Sequence, residues 1–195
     1  AAPHTRIAPQ SKTDDGGKRM PCLLILENAP SAEARHASLR EGLRRMLGVP
    51  VEVVYDTLGK PSLVGDTPLR YLSVTTTGSY MVAALAETPL GIDGERRDRF
   101  TPDRTARLLA AANRFFTAAD ASFVRADPRR FGEVWVRREA YAKYTGRGIR
   151  AFPEFSVSDG NALLAEVNGV RIEPLAVPLP DADAYFFAVA GGRKP

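Results

Sequence analysis

The most chemically suggestive part of the chain is PLGIDGERRDRF, residues 89 to 100, in which two acids follow an apolar run. Asp93 and Glu95 are separated by one residue. Because side chains alternate between the two faces of a β-strand, both carboxylates point the same way if this segment is extended. Three arginines follow within the next four residues. The pattern predicts a strand end that presents two negative charges on one face, with positive charge directly behind them.

A second group of reactive residues lies on a helix predicted over residues 128 to 145. Trp135, Glu139 and Lys143 are spaced four apart, so they line one face of that helix. If this face meets the acidic strand end, three carboxylates converge, which suits Mg²⁺ together with waters and a phosphate. Lys143 would then lie within reach of the phosphate or of a leaving group. The ordinary alternatives stay open, because a Glu–Lys pair at this spacing is usually a solvated surface pair and Asp-x-Glu often enters a turn.

The elements that must position these residues are predicted in the order strand, helix, several strands, several helices and further strands. This order is typical of an α+β fold. In the first half, Ser31 and Gly48 are the predicted N-cap and end of a helix. The Gly- and Pro-rich residues 58–68 predict a loop, and residues 69–95 predict a three-stranded meander whose last strand holds the two acids. Strands are predicted at residues 20–28 and 51–57.

The second half of the chain begins with three predicted helices. Thr101, Thr117 and Asp127 mark their starts, and Gly146 ends the third. Short strands are predicted beyond residue 151. The two halves resemble crude copies of one plan, so we expect a pseudo-two-fold arrangement of an N-terminal half, residues 20–92, and a C-terminal half, residues 93–195. The polar residues 1–19 are expected to be an arm that is disordered or not native to the protein.

Composition narrows the chemistry and the location. Cys22 is the only cysteine, which excludes an internal disulfide and fits a reducing cytoplasm. The two histidines, His4 and His36, make a histidine metal site or a Ser-His-Asp triad improbable, so acid–base chemistry must use carboxylates or lysine. No apolar run reaches the length of a membrane span, and no signal peptide is recognisable.

The positive charge of the chain is concentrated in its middle third. Residues 96–150 hold 14 Lys and Arg against 6 Asp and Glu, a net charge of +8 within a chain total of +4. Such a segment suits an anionic partner, namely a phosphate, a nucleic acid or an acidic protein surface. Solvated helix faces explain the charge equally well.

Taken together, GIDGE and WVRREAYAKYTGRGI resemble the two signatures of the 4′-phosphopantetheinyl transferase superfamily. Gly91, Ile92, Asp93 and Glu95 match the first signature, and Trp135, Glu139, Ala140, Lys143, Gly146 and Gly148 match the second, with Arg138 where the family often has lysine. The segments GKPSL, RFFTAAD and AYFFAVA also resemble the family, with Asp120 in place of glutamate. The length and the two-part plan are similar to the monomeric surfactin-type members.

The resemblance implies an Mg²⁺-dependent enzyme that transfers the phosphopantetheine arm of coenzyme A to a serine of an acyl or peptidyl carrier protein, as in secondary-metabolite biosynthesis, and releases 3′,5′-ADP. It implies that Asp93, Glu95 and Glu139 hold the metal. It implies that Glu139 and Lys143 are catalytic, Glu139 by accepting the serine proton and Lys143 by assisting the leaving phosphate. By the same resemblance, coenzyme A would contact Lys60, Pro61, Thr75, Thr76 and Lys143.

The carrier protein would be acidic, and it would dock on the basic stretch 96–150 and the Phe115–Phe116 region. The alternative interpretation of these two phenylalanines is ordinary core, which we favour for at least one of them. A monomer in the cytoplasm is expected.

The sequence departs from the family before the first signature, where SVTTTG replaces a segment that normally contains a histidine. Thr76 stands in the place of that histidine, and it can donate a hydrogen bond but brings no positive charge. Two alternatives to an active transferase therefore stay open. One is a degenerate relative that binds carrier protein or nucleotide without transfer. The other is a nucleic-acid-binding module, which the lack of interleaved aromatic and basic strands disfavours.

Overall fold

The computed structural model describes residues 6–8 and 21–192 of the 195-residue chain. These residues form a mixed α+β fold, as predicted. The chain divides into two compact units, with the boundary between Gly91 and Ile92; the second unit runs over Ile92–Gly191. This boundary lies one residue before the predicted one, and Gly192 groups with the first unit. The pseudo-two-fold arrangement stays a prediction. No helix within the described ranges is long and apolar enough to cross a bilayer.

The first unit is built on a six-stranded antiparallel sheet in which the strands lie in the order β1-β2-β6-β5-β4-β3. Buried leucines and alanines of β2 and β6 lie at its centre, because these two strands read as almost continuous apolar runs. The strands are β1 (Arg6–Ala8), β2 (Cys22–Glu27), β3 (Val51–Tyr55), β4 (Pro61–Gly65), β5 (Tyr71–Thr77) and β6 (Tyr80–Ala86).

Helix α1 (Ala32–Leu47) packs on this sheet through Leu39 and Leu43. Its predicted ends are confirmed. The side chain of Ser31 accepts a hydrogen bond from the backbone nitrogen of Ala34 at 3.1 Å, which satisfies one of the amides that the first turn leaves open. Gly48 ends the helix with φ 68°, a left-handed conformation that favours glycine.

Three expectations about the first unit differ from the structure. Residues 61–65 of the predicted loop form β4, because the Asp56 side chain binds the backbone nitrogens of Leu58 and Lys60 and turns the chain into a hairpin with β3. Residues 6–8 of the predicted arm form β1, which pairs with the open edge of β2, and the rest of residues 1–19 lies outside the described ranges. The third strand of the predicted meander joins a different sheet, described next.

The second unit has a four-stranded sheet in the order β7-β10-β9-β8 and three α-helices. Helix α4 packs on β10 and β9. Single turns of 3₁₀ helix precede α2 and α4, so the helices predicted to begin after Thr101 and Asp127 start with a tighter turn. The elements are β7 (Leu90–Arg96), α2 (Thr105–Phe115), α3 (Ala118–Ala126), α4 (Phe131–Thr145), β8 (Glu166–Val167), β9 (Val170–Pro174) and β10 (Tyr185–Gly191).

Helix α4 lies close to β10 because Gly132 has no side chain. A Cβ atom at Gly132 would lie 2.5 Å from Phe186 Cε2, which is too close for any other residue without movement. The helix begins after Asp127, whose carboxylate accepts a hydrogen bond from the nitrogen of Arg129 at 3.1 Å, and it ends at Gly146 with φ 73°. The close approach and the two defined ends place α4 directly against β10.

Candidate active site

The acidic strand end predicted from the sequence is present on β7. Asp93 is buried, with 6% of its surface exposed, and Glu95 is half-buried. Gly94, between them, faces the other side of the strand, where Phe187 of β10 lies against it. A Cβ atom at Gly94 would lie 2.1 Å from Phe187 Cε1. Glycine is therefore favoured at this position, because the aromatic ring fills the space on the side of the strand opposite the acids.

Helix α4 brings the second signature to the same strand. The Lys143 ammonium donates a hydrogen bond to Oδ1 of Asp93 at 2.8 Å, across 50 residues of sequence. Lys143 is about one-third exposed in this pair, whereas the Asp93 side chain is 8% exposed. The structure thus joins one residue of each predicted signature by a direct contact.

Glu139 is electrostatically coupled to both of these residues and to Glu95. The pKa of Glu139 is raised to about 7, mainly by burial and then by the negative charges of Asp93 and Glu95, while the positive charge of Lys143 opposes the shift. A carboxyl group with a pKa near neutrality can give or accept a proton under physiological conditions, which is the property required of a general base.

Glu95 is held by an arginine from the segment that follows it. Arg99 donates a hydrogen bond to Oε2 of Glu95 at 2.5 Å. Burial raises the pKa of Glu95, and the bond and charge of Arg99 oppose that shift. The positive charge that follows the acids in sequence is therefore used locally, on one of those acids.

No group of three His, Cys, Asp or Glu residues among residues 6–8 and 21–192 is arranged to hold a metal ion. The two acids of β7 are instead paired with cations, Asp93 with Lys143 and Glu95 with Arg99. Carboxylate oxygens are nevertheless the donor type that Mg²⁺ prefers, and Glu139 interacts electrostatically with Asp93 and Glu95, whose charges add to the effect of burial on its pKa. A cation at this position would offset those charges.

The four residues that the resemblance assigns to coenzyme A alone lie in the first unit. Lys60 and Pro61 are half-buried at the start of β4, and burial lowers the pKa of Lys60 while Asp56 opposes the shift. Thr75 and Thr76 are neighbours on β5, so they point to opposite faces of the sheet. Thr75 is buried and Thr76 is exposed.

Of the two phenylalanines predicted near a docking surface, Phe116 belongs to the core, as favoured for at least one of them. It is 9% exposed and stacks on Phe131 with a centroid distance of 5.2 Å. Phe115 is half-buried. Trp135, the first residue of the second signature, also stacks on Phe131, so its role here is packing.

The sequence did not reveal a buried ion pair beside the site. Arg138 and Asp120 are both fully buried, and the guanidinium of Arg138 bonds to the Asp120 carboxylate. Both residues were noted only as departures from a family pattern. One signal was available in the sequence: Asp120 and Arg138 both differ from the family pattern, carry opposite charges and lie on two consecutive helices.

Comparisons with known proteins agree with the sequence resemblance. A family profile described as the 4′-phosphopantetheinyl transferase superfamily matches residues 89–174. The chain is 28% identical over 154 residues to the 4′-phosphopantetheinyl transferase psf-1 of Bacillus pumilus. That match covers 75% of this chain and 59% of the relative, so the chain spans about three fifths of the length of the curated relative. The resemblance to the superfamily and to its surfactin-type members is confirmed.

Proposed function

We propose that this chain, a member of the 4′-phosphopantetheinyl transferase superfamily, moves the phosphopantetheine arm of coenzyme A onto a serine of an acyl or peptidyl carrier protein. The observation that carries the proposal is the coupling of Glu139 to Asp93 and Glu95, together with the Lys143–Asp93 bond. A carboxylate with a pKa near 7, two further acids and a lysine form a set suited to phosphoryl-group transfer.

In this proposal Asp93, Glu95 and Glu139 hold Mg²⁺, which, when bound, offsets the negative charge that develops on the diphosphate of coenzyme A. Such a site would require the two acids of β7 to leave Lys143 and Arg99. This exchange of partners is plausible because the Glu95 bond joins a half-buried acid to an exposed arginine, and such pairs are worth only about 0.2–1 kcal/mol.

The protein's own groups handle the protons. Glu139, as the carboxylate, accepts the proton of the carrier serine directly or through water. The serine oxygen then forms a bond to the phosphorus that bears the pantetheine, and the bond from that phosphorus to the bridging oxygen of the diphosphate breaks. Lys143 stabilises or protonates the leaving phosphate of 3′,5′-ADP. Each proton therefore has a named acceptor or donor within this set.

Binding of the two substrates is assigned to separate parts of the chain. Lys60, Pro61, Thr75 and Thr76 would bind coenzyme A, with Thr76 as a hydrogen-bond donor in place of the usual histidine. The basic residues between 96 and 150 would attract an acidic carrier protein, which raises the rate of encounter more than the final affinity. A cytoplasmic monomer is proposed on the lone cysteine and the two fused halves.

The test is a mass measurement. The protein is incubated with coenzyme A, Mg²⁺ and several apo carrier proteins, and each carrier is examined for the added mass of the arm. Asp93→Ala and Glu139→Ala should abolish the gain while the circular dichroism stays native. Glu166→Ala, at an exposed acid of β8, is the matched control and should transfer normally. Near-normal turnover of either site variant would contradict the assignment.

A second candidate is a relative that has lost transfer and only binds carrier protein or nucleotide. The exposed threonine at position 76, where the family has a charged or polar ring, favours this alternative. Carrier binding without any mass gain, at high coenzyme A and with several carriers, would support it over the enzyme.

A further inference from the structure

The residue directly before Glu139 is the centre of a buried, hydrogen-bonded cluster in the second unit. Arg138 has no exposed surface, and its guanidinium donates hydrogen bonds to the carboxylate of Asp120 and to the carbonyl oxygen of Phe152. Asp120, on α3, also has no exposed surface. The pair therefore ties α4 to α3 and to the segment that follows α4.

Asp120 is held as firmly as its partner. Its carboxylate accepts hydrogen bonds from the backbone nitrogen of Val157 at 3.1 Å, from the backbone nitrogen of Ser158 at 2.8 Å and from the Ser158 hydroxyl at 2.6 Å. These donors fix the direction of the carboxylate, and hence the position in which Arg138 can meet it.

Aromatic rings enclose the guanidinium. The Arg138 Cζ atom lies 5.0 Å from the ring centroid of Phe116, 4.8 Å from that of Phe152 and 4.7 Å from that of Phe155. The rings and the two fixed acceptors hold the planar guanidinium in one orientation. An ammonium group or an apolar side chain would not be oriented in this way.

Burying the charged groups of this cluster has a large desolvation cost. Burial lowers the pKa of Arg138, Asp120 opposes the shift, and the Nε of Arg138 has no hydrogen-bond partner within the described part of the chain. Buried ion pairs often stabilise no more than apolar residues of the same volume, because desolvation of the two charges offsets their attraction. A gain in stability alone is therefore a weak explanation for an arginine at this position.

We propose that Arg138 is a positioning residue that sets the rotation of α4, so that Glu139 faces Asp93 and Glu95. This inference rests on the proposed transfer function. Adjacent residues of an α-helix point about 100° apart, because 3.6 residues make one turn, so fixing the direction of residue 138 fixes that of residue 139. A displacement of about 1 Å at a reacting group can cost about 100-fold in rate.

The test compares the variant Arg138→Lys with the double variant Asp120→Glu, Arg138→Lys and with the control variant Arg137→Lys. Lysine keeps the charge but not the planar fork, so kcat for transfer should fall roughly 10–100-fold. At saturating Mg²⁺ the KM for coenzyme A should stay within about twofold, because the residues assigned to coenzyme A alone lie in the first unit and are unchanged. Binding of Mn²⁺ to the protein alone, followed by electron paramagnetic resonance, should weaken because one of its three carboxylates is displaced. The double variant Asp120→Glu, Arg138→Lys lengthens the acid where the base is shortened, and it should recover most of both properties.

Arg137→Lys is the matched control. Arg137 is the neighbouring arginine of α4 and is 7% exposed, but it bonds to the carbonyl oxygens of Leu164 and Ile172 and not to Asp120. This change should lower the thermal midpoint while leaving kcat and Mn²⁺ binding unchanged. Equal losses of kcat in Arg137→Lys and Arg138→Lys would overturn the inference, since both would then act through stability.

The outcomes separate this inference from the function itself. If the natural protein transfers the arm and Arg138→Lys keeps its kcat, the positioning role is wrong and the function stands. If the natural protein transfers nothing but binds Mn²⁺, weaker binding in Arg138→Lys with recovery in the double variant supports the positioning role, and unchanged binding overturns it. If the natural protein neither transfers nor binds Mn²⁺, both proposals fall.

Discussion

Lys143 and Asp93 are hydrogen-bonded to each other at 2.8 Å, although they belong to the two signatures that we assign to a metal and a phosphate. The lysine gives Asp93 a positive partner at the place where a divalent cation is proposed to bind. It also opposes the pKa shift of Glu139. Lys143 therefore supplies a positive charge to these acids, and in the proposed mechanism it would become available to a phosphate once a cation binds.

Replacing Lys143 by methionine should strengthen metal binding and weaken transfer. Asp93 then no longer has to exchange a bonded ammonium for the cation, so Mn²⁺ should bind more tightly, by about threefold to tenfold if the lost pair is worth about 1 kcal/mol. Transfer should fall at least about 100-fold, because the leaving phosphate loses its cation. Mn²⁺ titration and the carrier mass assay measure the two effects. Weaker Mn²⁺ binding would contradict this account.

Glu139→Gln should make the protein more stable at alkaline pH. The pKa of Glu139 is about 7 in the folded state and near 4.5 when unfolded, so the folded state binds the extra proton between these values. The natural protein therefore loses stability as the pH rises through this window, and the glutamine variant does not. From pH 5 to pH 8 the variant should gain about 2–3 kcal/mol relative to the natural protein.

The measurement is urea unfolding without divalent cations at both pH values. Glu133→Gln, on the first turn of the same helix, is the control for the loss of a carboxylate from α4. A constant difference between Glu139→Gln and the natural protein at pH 5 and pH 8 would mean that Glu139 is not shifted.

Gly94→Ala should destabilise the second unit through overpacking. The added methyl group meets the ring of Phe187, and such changes cost about 1–3 kcal/mol. Gly94→Ala combined with Phe187→Leu should recover part of that loss, because the smaller side chain vacates the space. Thermal unfolding of the two single variants and the double variant gives the coupling. Strictly additive effects would show that the methyl group is accommodated elsewhere.

Thr76→His should lower the KM for coenzyme A if the missing histidine is a handicap. Thr76 is exposed on β5, so the ring can be accommodated without disturbing the core. An imidazole adds a hydrogen-bond donor that can become positive, which favours a phosphate. Thr57→His, in the exposed turn between β3 and β4, controls for a general effect of added histidine. An unchanged KM would mean that another residue already contacts that phosphate.

Features encoded by a few neighbouring residues could be predicted. The alternation of side chains along GIDGE predicted Asp93 and Glu95 on one face of a strand. The i, i+4 spacing predicted Glu139 and Lys143 on one face of a helix. The helix ends at Ser31 and Gly146 could be predicted from the local sequence, because each residue satisfies backbone groups within one helical turn of itself.

Features that depend on distant parts of the chain could not be predicted in the same way. Strand β4 was hidden in a Gly- and Pro-rich segment, because its identity comes from pairing with β3. The partner of β7 is β10, almost a hundred residues later, which no local pattern indicates. The Arg138–Asp120 bond likewise exists only once α3 and α4 have packed together.

Strand β7 crosses the boundary between the two compact units, with Leu90 and Gly91 in the first and the following residues in the second. A flexible hinge would absorb an additional residue, but a strand cannot. One insertion between Gly91 and Asp93 would exchange inside for outside along the remaining strand, and would turn the acid toward the ring of Phe187. The number of residues in β7 before Asp93 therefore determines on which face of the sheet its carboxylate lies.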